Sequence, residues 1–310
     1  MTILTDKPLD VEKLADIDAK IVRVTLHDLP SFNGSAEVAV ICGSRAMAIV
    51  AATMELPNLK LFQLTSAGFD GVPLDVYADK GVAVANAGGV YSVPIAETVV
   101  FGILQMAKRL RKNPNNRRFK LTRGYREITE MMDKKVLIMG AGNIGTAVAQ
   151  RLDAFAMQVD GYDPYCEEKP PYKTILRDRA ALITALGEYD YIVSTMPDNE
   201  ATRRFIDAEL FSCMKNTAVV VNVGRKAVFD NEAFYAALKA RRIGGAVLDM
   251  FERLPNPITN KFRRLSNVIV LPGVAAISRE VNDRLRALMT ENVRCVLCGD
   301  DIGYIINRRK

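Results

Sequence analysis

Three glycines in the stretch VLIMGAGNIGTAVAQRL, Gly140, Gly142 and Gly145, stand in G-x-G-x-x-G spacing, directly after an apolar run and at the opening of a helix-like one. The first permits a tight turn, the second lets a pyrophosphate approach the backbone, and the third lets helix and strand pack closely. The helix opening at Asn143 and Ile144 offers unpaired N–H groups and a partial positive charge to phosphates. Glycine-rich turns are common, so context must carry the reading. The next apolar run ends at Asp163, eighteen residues past Gly145, near the roughly 20 expected of a ribose-binding acid. Its carboxylate would accept from both ribose hydroxyls and repel a 2′-phosphate. Pro164 and Tyr165 follow, with no arginine to welcome that phosphate, which favours NAD over NADP.

The elements that must position this turn alternate between short apolar runs and helical patterns, the signature of a parallel sheet wrapped by helices. The strand candidates are KVLIM (135–139), MQVDGY (157–162), YIVST (191–195), AVVVNV (218–223), GAVLDM (245–250) and NVIVL (267–271), with a minor one at YKTIL (172–176). Helix-like stretches lie at 145–152, 207–213 and 231–241. Unbroken β-branched runs such as AVVVNV suit strands covered on both faces. The first hundred residues repeat the pattern on a smaller scale in AEVAVICG, LKLFQLTSAG and GVAVANAGG. A long amphipathic helix follows in SVPIAETVVFGILQMAKRL, with Pro94 acceptable in its first turn. The C-terminal REVNDRLRALMTENVRCVLCG is helical and ends at Gly299.

At 310 residues the chain suits two domains. Its 49% hydrophobic and 25% charged content is ordinary for a globular protein. No apolar run reaches the roughly 18 residues of a membrane helix, and the N-terminus has no apolar signal core, so a cytoplasmic location is expected. Five scattered cysteines fit a reduced compartment. Cys295 and Cys298 form a C-x-x-C pair, but no second pair or nearby histidine completes a metal site, and their spacing fits neighbouring positions on the last helix. No metal is expected. The net charge of +6 gathers in KRLRKNPNNRRFK, residues 108–120. Without a nucleic-acid motif or interleaved aromatics, that run reads as a solvated linker and helix end, with an anionic substrate as the sharper alternative.

Several ordered segments together resemble the D-isomer-specific 2-hydroxyacid dehydrogenase family over nearly the whole chain. LTSAGFDGV looks like its substrate-domain loop, whose backbone amides, at Ser66, Ala67 and Gly68 here, hold a carboxylate. NAGGVYSVPIAE resembles the lead into its interdomain helix. DYIVSTMPDNEATRRFI is similar to its strand-to-proline loop near the adenine side, which brings in Met196, Pro197 and Thr202. VVNVGRKAVFDNEAFYAAL, GGAVLDMFERLP and NVIVLPGVAA follow at the expected distances. The resemblance implies an α/β fold of two Rossmann-like or flavodoxin-like domains, doubly wound parallel sheets with a cofactor cleft between them. The expected substrate domain is 1–97 plus 278–310, and the expected NAD-binding Rossmann domain is 98–277. It implies that Val223 and Gly224 line the nicotinamide, that Asp249 contacts its amide, and that the protein is a homodimer.

In that family an arginine holds the substrate carboxylate and polarises the C2 oxygen, a histidine exchanges a proton with that oxygen, and a glutamate bonds the histidine. Only the arginine carries over, as Arg225 in NVGR. The histidine position holds Gly273 and the glutamate position Leu254. Glu252 matches a different place in the pattern, and the only histidine, His27, lies in the first domain. Tyr91 and Lys226, where the pattern has glycine beside the arginine, are candidate proton donors. The expected function is an NAD(H)-dependent oxidoreductase with altered acid–base machinery, acting on a small carboxylate-bearing 2-hydroxy, 2-oxo or imino acid. The alternative is a catalytically degenerate NAD(H)-binding sensor or assembly protein.

Overall fold

The computed structural model describes residues 1–25, 38–43, 47–109, 128–249, 261–271 and 273–307. The chain divides into two compact units, Met1–Tyr91 with Ser278–Lys310, and Ser92–Ile277. His27, Glu252 and Leu254 lie outside the described residues, as does most of the basic run.

The first unit is built on β1 (Thr2–Thr5), β2 (Lys20–Arg23), β3 (Val38–Gly43), β4 (Leu61–Leu64) and β5 (Ala83–Ala85). They form one sheet in the order β2-β1-β3-β4-β5, with every strand pair parallel. Alternating side chains feed two cores because successive Cβ atoms point to opposite faces. Leu4, Ile41, Phe62 and Val84 pack in one cluster with the helices α1 (Met47–Met54) and α2 (Leu74–Asp79). Ile3, Val40, Cys42, Leu61 and Ala85 pack in the other. The strand β1 is absent from the sequence expectation. TILT is too short to stand out as an apolar run, and only its place between β2 and β3 in the sheet buries all four residues.

The second unit opens with α3 (Ser92–Ala107), so the whole of that helix belongs to it. Then come β6 (Lys135–Met139), α4 (Asn143–Asp153), β7 (Gln158–Tyr162), β8 (Ile175–Leu176), α5 (Arg179–Ala185), β9 (Tyr191–Ser194), α6 (Ala208–Cys213), β10 (Val219–Asn222), α7 (Asn231–Lys239), β11 (Gly245–Leu248) and β12 (Val268–Val270). These strands form a parallel sheet in the order β12-β11-β10-β9-β6-β7-β8. One face carries Leu137, Ile192, Val220 and Leu248 under α5, α6 and α7, whose Phe211 and Phe234 stack with ring centroids 5.0 Å apart. Such pairs contribute about 0.5–1.5 kcal/mol beyond the area they bury. On the other face, α3 comes so near the sheet that a Cβ on Gly102 would lie 2.7 Å from Val247 Cγ1.

The chain then returns to the first unit as α8 (Arg279–Cys298), which ends at Gly299 and carries both Cys295 and Cys298. Buried Asn292 fastens it there. Its amide donates to Gln63 Oε1 at 2.6 Å, and its oxygen accepts from Gly303 N at 3.0 Å. No described helix is long and apolar enough to cross a membrane. The described residues hold no cluster of His, Cys, Asp and Glu suited to a metal.

Candidate functional site

In the second unit β6 has β7 on one side and β9 on the other, so strand order reverses there. The crevice outside the carboxyl ends of the strands at such a reversal is where open α/β sheets bind ligands. The residue that follows β6 is Gly140. It adopts φ +99°, a conformation that L side chains rarely take, and a Cβ there would meet Thr195 Oγ1 at 2.8 Å. Thr195 Oγ1 in turn donates to Gly140 O at 2.8 Å, locking the turn after β6 to the one after β9. A Cβ on Gly145 would lie 1.9 Å from Gly140 O, whereas one on Gly142 would meet nothing within 4 Å. The third glycine is therefore a packing requirement and the second faces open space.

The helix that starts at this open space has no side-chain cap. Gly142 is the N-cap of α4 and supplies no side-chain acceptor. By contrast Asp178, Asp207 and Asp230 accept from first-turn amides of α5, α6 and α7. The amides of an uncapped first turn need an external acceptor, and the helix dipole favours an anionic one. Asn143 and Ile144 belong to that turn.

Asp163 follows β7. Its Oδ2 accepts from Ala141 N at 2.9 Å and its Oδ1 from Tyr165 N at 3.0 Å, so the carboxylate is seated directly on the glycine turn, with Pro164 and Tyr165 exposed beside it. After β9, Met196 and Thr202 are buried, and Thr202 Oγ1 closes its own loop by donating to Pro197 O at 2.7 Å. After β10, a Cβ on Gly224 would lie 2.8 Å from Met196 O, so the 223–225 turn rests against the backbone after β9. Val223 is buried. Arg225 is half-buried in extended conformation, and its Nη1 donates to Gly224 O at 3.1 Å. Lys226 is exposed at the start of a short 3-10 helix. After β11, Asp249 is buried and accepts from Val274 N at 2.9 Å and Ala275 N at 3.3 Å. Gly273, the residue just before that turn, has φ +73°.

The glycine turn and the 163, 196, 224, 249 and 273 positions thus form a hydrogen-bonded and packed rim along one edge of one sheet. Ser66, Ala67, Gly68 and Tyr91 belong to the other unit and meet there. Ser66 Oγ donates to Gly68 O at 2.7 Å, Asn86 donates to Ala67 O at 2.7 Å, and the Tyr91 hydroxyl donates to Thr65 O. Burial, with the nearby Asp6 charge, raises the Tyr91 phenol above its ordinary value.

Three organising residues escaped the sequence reading. Asn222 accepts from Gly224 N at 3.1 Å and donates to Arg225 O at 3.4 Å, bracing the turn that presents Arg225. Thr195 joins two turns, and Lys169 Nζ donates to Ala141 O at 2.8 Å. Asn222 had a signal, a polar residue inside an apolar strand. Lys169 had none, since the distance between residues 141 and 169 closes only in the fold.

A parallel sheet whose order reverses at an uncapped glycine turn, with an acid ending the next strand, defines a dinucleotide-binding domain. The family model for the D-isomer specific 2-hydroxyacid dehydrogenase NAD binding domain matches residues 99–275, and the chain belongs to that family. A glyoxylate reductase of Thermofilum pendens is 30% identical over 265 residues, covering 81% of this chain and 76% of that protein. A D-3-phosphoglycerate dehydrogenase of Methanocaldococcus jannaschii is 30% identical over 255 residues, covering 81% of this chain but 48% of that protein. An acyclic imino acid reductase (Bsp5), solved in complex with NADPH and D-Arg, shares the fold with a TM-score of 0.80 at 24% identity, covering 99% of this chain and 100% of that one. The cofactor of the domain is a nicotinamide dinucleotide, and the open Gly142 face and uncapped α4 fit its phosphates.

Proposed function

We propose that the chain is an NAD(H)-dependent oxidoreductase acting on a small 2-hydroxy, 2-oxo or 2-imino acid, with acid–base machinery altered from the family pattern. The observation that carries this reading is the pairing of an intact dinucleotide turn with Gly273 on the same sheet rim, at the position where the resemblance places a histidine. When bound, the nicotinamide supplies or takes up a hydride. Arg225 grips the substrate carboxylate through its planar fork and stabilises negative charge on the C2 oxygen. The resemblance assigns the backbone amides of the 66–68 loop to carboxylate binding as well. Gly140, Gly142, Asn143, Ile144 and Gly145 receive the pyrophosphate, and Asp163 receives the adenosine ribose, which favours NAD. Met196, Pro197 and Thr202 shape the adenine side, and Val223, Gly224 and Asp249 the nicotinamide side.

The proton is the open term. Tyr91 is a neutral phenol whose pKa burial raises further, and it directs its proton at Thr65 O; it positions the 66–68 loop better than it serves as an acid. Lys226 is exposed and remains the side-chain candidate, with water the other. Loss of a general acid–base group costs about 10²–10⁴-fold in rate, while positioning by itself retains substantial catalysis. An iminium arrives already protonated and needs least from the missing pair, so imino acids belong in the substrate panel beside 2-oxo acids.

The test begins with NADH fluorescence titration, followed by NADH oxidation against 2-oxo and 2-imino acids. Turnover with one of them supports the enzyme. Tight NADH binding without turnover across the panel supports instead a sensor or assembly protein. Restoring the pair with Gly273→His and Leu254→Glu sharpens the result. A gain of about 10²-fold or more shows that the rest of the site is intact, offset by the cost of a side chain at φ +73°, about 1–2 kcal/mol. The reading also carries a cytoplasmic homodimer built partly on α3, where Val93 and Phe101 are exposed; sizing in solution tests it.

A further inference from the structure

The loop between β7 and β8 returns to the glycine turn. Lys169 in that loop is half-buried, and its Nζ donates to Ala141 O at 2.8 Å. The amide of the same residue, Ala141, donates to Asp163 Oδ2 at 2.9 Å. A single residue between the first two glycines therefore has a carboxylate on its amide and an ammonium on its carbonyl. Cys166 Sγ also approaches this carbonyl, at 3.9 Å. The other charges of the loop, Glu167, Glu168 and Lys173, are exposed.

We propose that Lys169 is a cofactor-specificity residue, whose ammonium receives the 2′-phosphate of an NADP-type dinucleotide, so that the chain binds NADP(H) as well as NAD(H). This rests on the reading of Asp163 as the ribose-binding acid. A carboxylate by itself repels a 2′-phosphate, and Pro164 and Tyr165 supply no cation against that repulsion. The chain supplies one from further along, because the loop folds back onto Ala141. Lysine suits the task. Its compact charge sits on a flexible four-carbon stem, and its present partner is a neutral carbonyl. A phosphate adds the attraction of opposite charges to the hydrogen bond, which a neutral carbonyl does not, so a phosphate displaces the carbonyl. With NAD(H), the ammonium stays on Ala141 and the site is undisturbed.

The experiment titrates NADH and NADPH separately into the full chain by nicotinamide fluorescence, for the wild type, Lys169→Ala and Lys169→Arg. The wild type is expected to bind both. Lys169→Ala weakens NADPH on the order of tenfold or more, the range of a lost charge-assisted bond, and weakens NADH clearly less, by no more than the loss of its bond to the shared glycine turn; retained NADH binding also shows that the variant folds. Lys169→Arg, which keeps the charge, restores most of the NADPH affinity, and added salt weakens NADPH more than NADH. Equal losses for both dinucleotides in Lys169→Ala overturn the proposal, since they place the lysine on a part common to both. A wild type that binds NADH but not NADPH overturns it as well, and leaves the dehydrogenase reading standing. If neither dinucleotide binds the wild type, that reading falls together with this one.

Discussion

Asp249 Oδ1 accepts the backbone N–H of Val274 at 2.9 Å, which ties the end of β11 to the turn that follows Gly273. The same oxygen accepts from Ala275 N at 3.3 Å. A carboxylate assigned from the resemblance to a nicotinamide contact is thus also the anchor of the turn after Gly273, where the resemblance places a histidine.

Removing that anchor should loosen the turn before it affects the rest of the unit. Asp249→Ala leaves the amides of Val274 and buried Ala275 without this acceptor, at about 1–3 kcal/mol, whereas Asp249→Asn keeps an acceptor oxygen and should lose less. Urea unfolding of the two variants measures the difference. Equal losses would show that charge, rather than acceptance, holds the turn.

The second and third glycines of the turn should fail in different ways. Gly145→Ala forces a Cβ to within 1.9 Å of Gly140 O and should destabilise the protein by several kcal/mol, roughly the range of severe core strain. Gly142→Ala meets nothing in the free protein, so its melting temperature should stay near wild type. Its NADH affinity should nonetheless fall on the order of tenfold, about the effect of 1.4 kcal/mol. Thermal unfolding paired with NADH titration separates the two.

Arg225 should matter to substrate and not to cofactor. Arg225→Ala is expected to lower kcat/KM by about 10²–10³-fold with NADH affinity unchanged. Arg225→Lys should recover only part, since a point charge does not reproduce the bidentate fork. A parallel loss of NADH binding would indicate that the 223–225 turn had collapsed.

Asp230 gives the second unit an acid-sensitive contact. Hydrogen bonding from Ala233 N, followed by the Arg204 guanidinium, holds its carboxyl below the ordinary carboxylate value. A group depressed in the folded state contributes fully above its unfolded pKa, about 3.9, and loses that contribution as pH falls through the lower folded value. Asp230→Ala should remove about 1 kcal/mol at neutral pH, the usual worth of such a cap, and less at the acid end. Unfolding free energies between neutral pH and pH 3 would show the two curves converging.

Much of the second unit was legible in the sequence because its strands are continuous apolar runs. KVLIM became β6 with its bounds unchanged, and GAVLDM became β11 with its last two residues beyond the strand, Asp249 in the rim and Met250 outside the described residues. The glycine turn was readable since its spacing is local, enforced by one strand, one turn and one helix. TILT was not, because four residues carry no periodicity and their burial comes from neighbours far along the chain. The minor strand at 172–176 shortened to Ile175–Leu176, where the sheet edge has a single neighbour to pair with.

The sequence by itself determined the α/β class, the dinucleotide turn and Asp163 at its strand end. These are matters of residue type and short spacing. The tertiary structure alone decided what each group is bonded to. Thr195 locks Gly140, Asn222 braces Arg225, Asp249 holds the turn at Gly273, and Lys169 reaches Ala141. Each of these contacts but that of Asn222 to Arg225 joins residues more than twenty positions apart, and such pairs meet only when parallel strands bring their carboxyl ends to one rim.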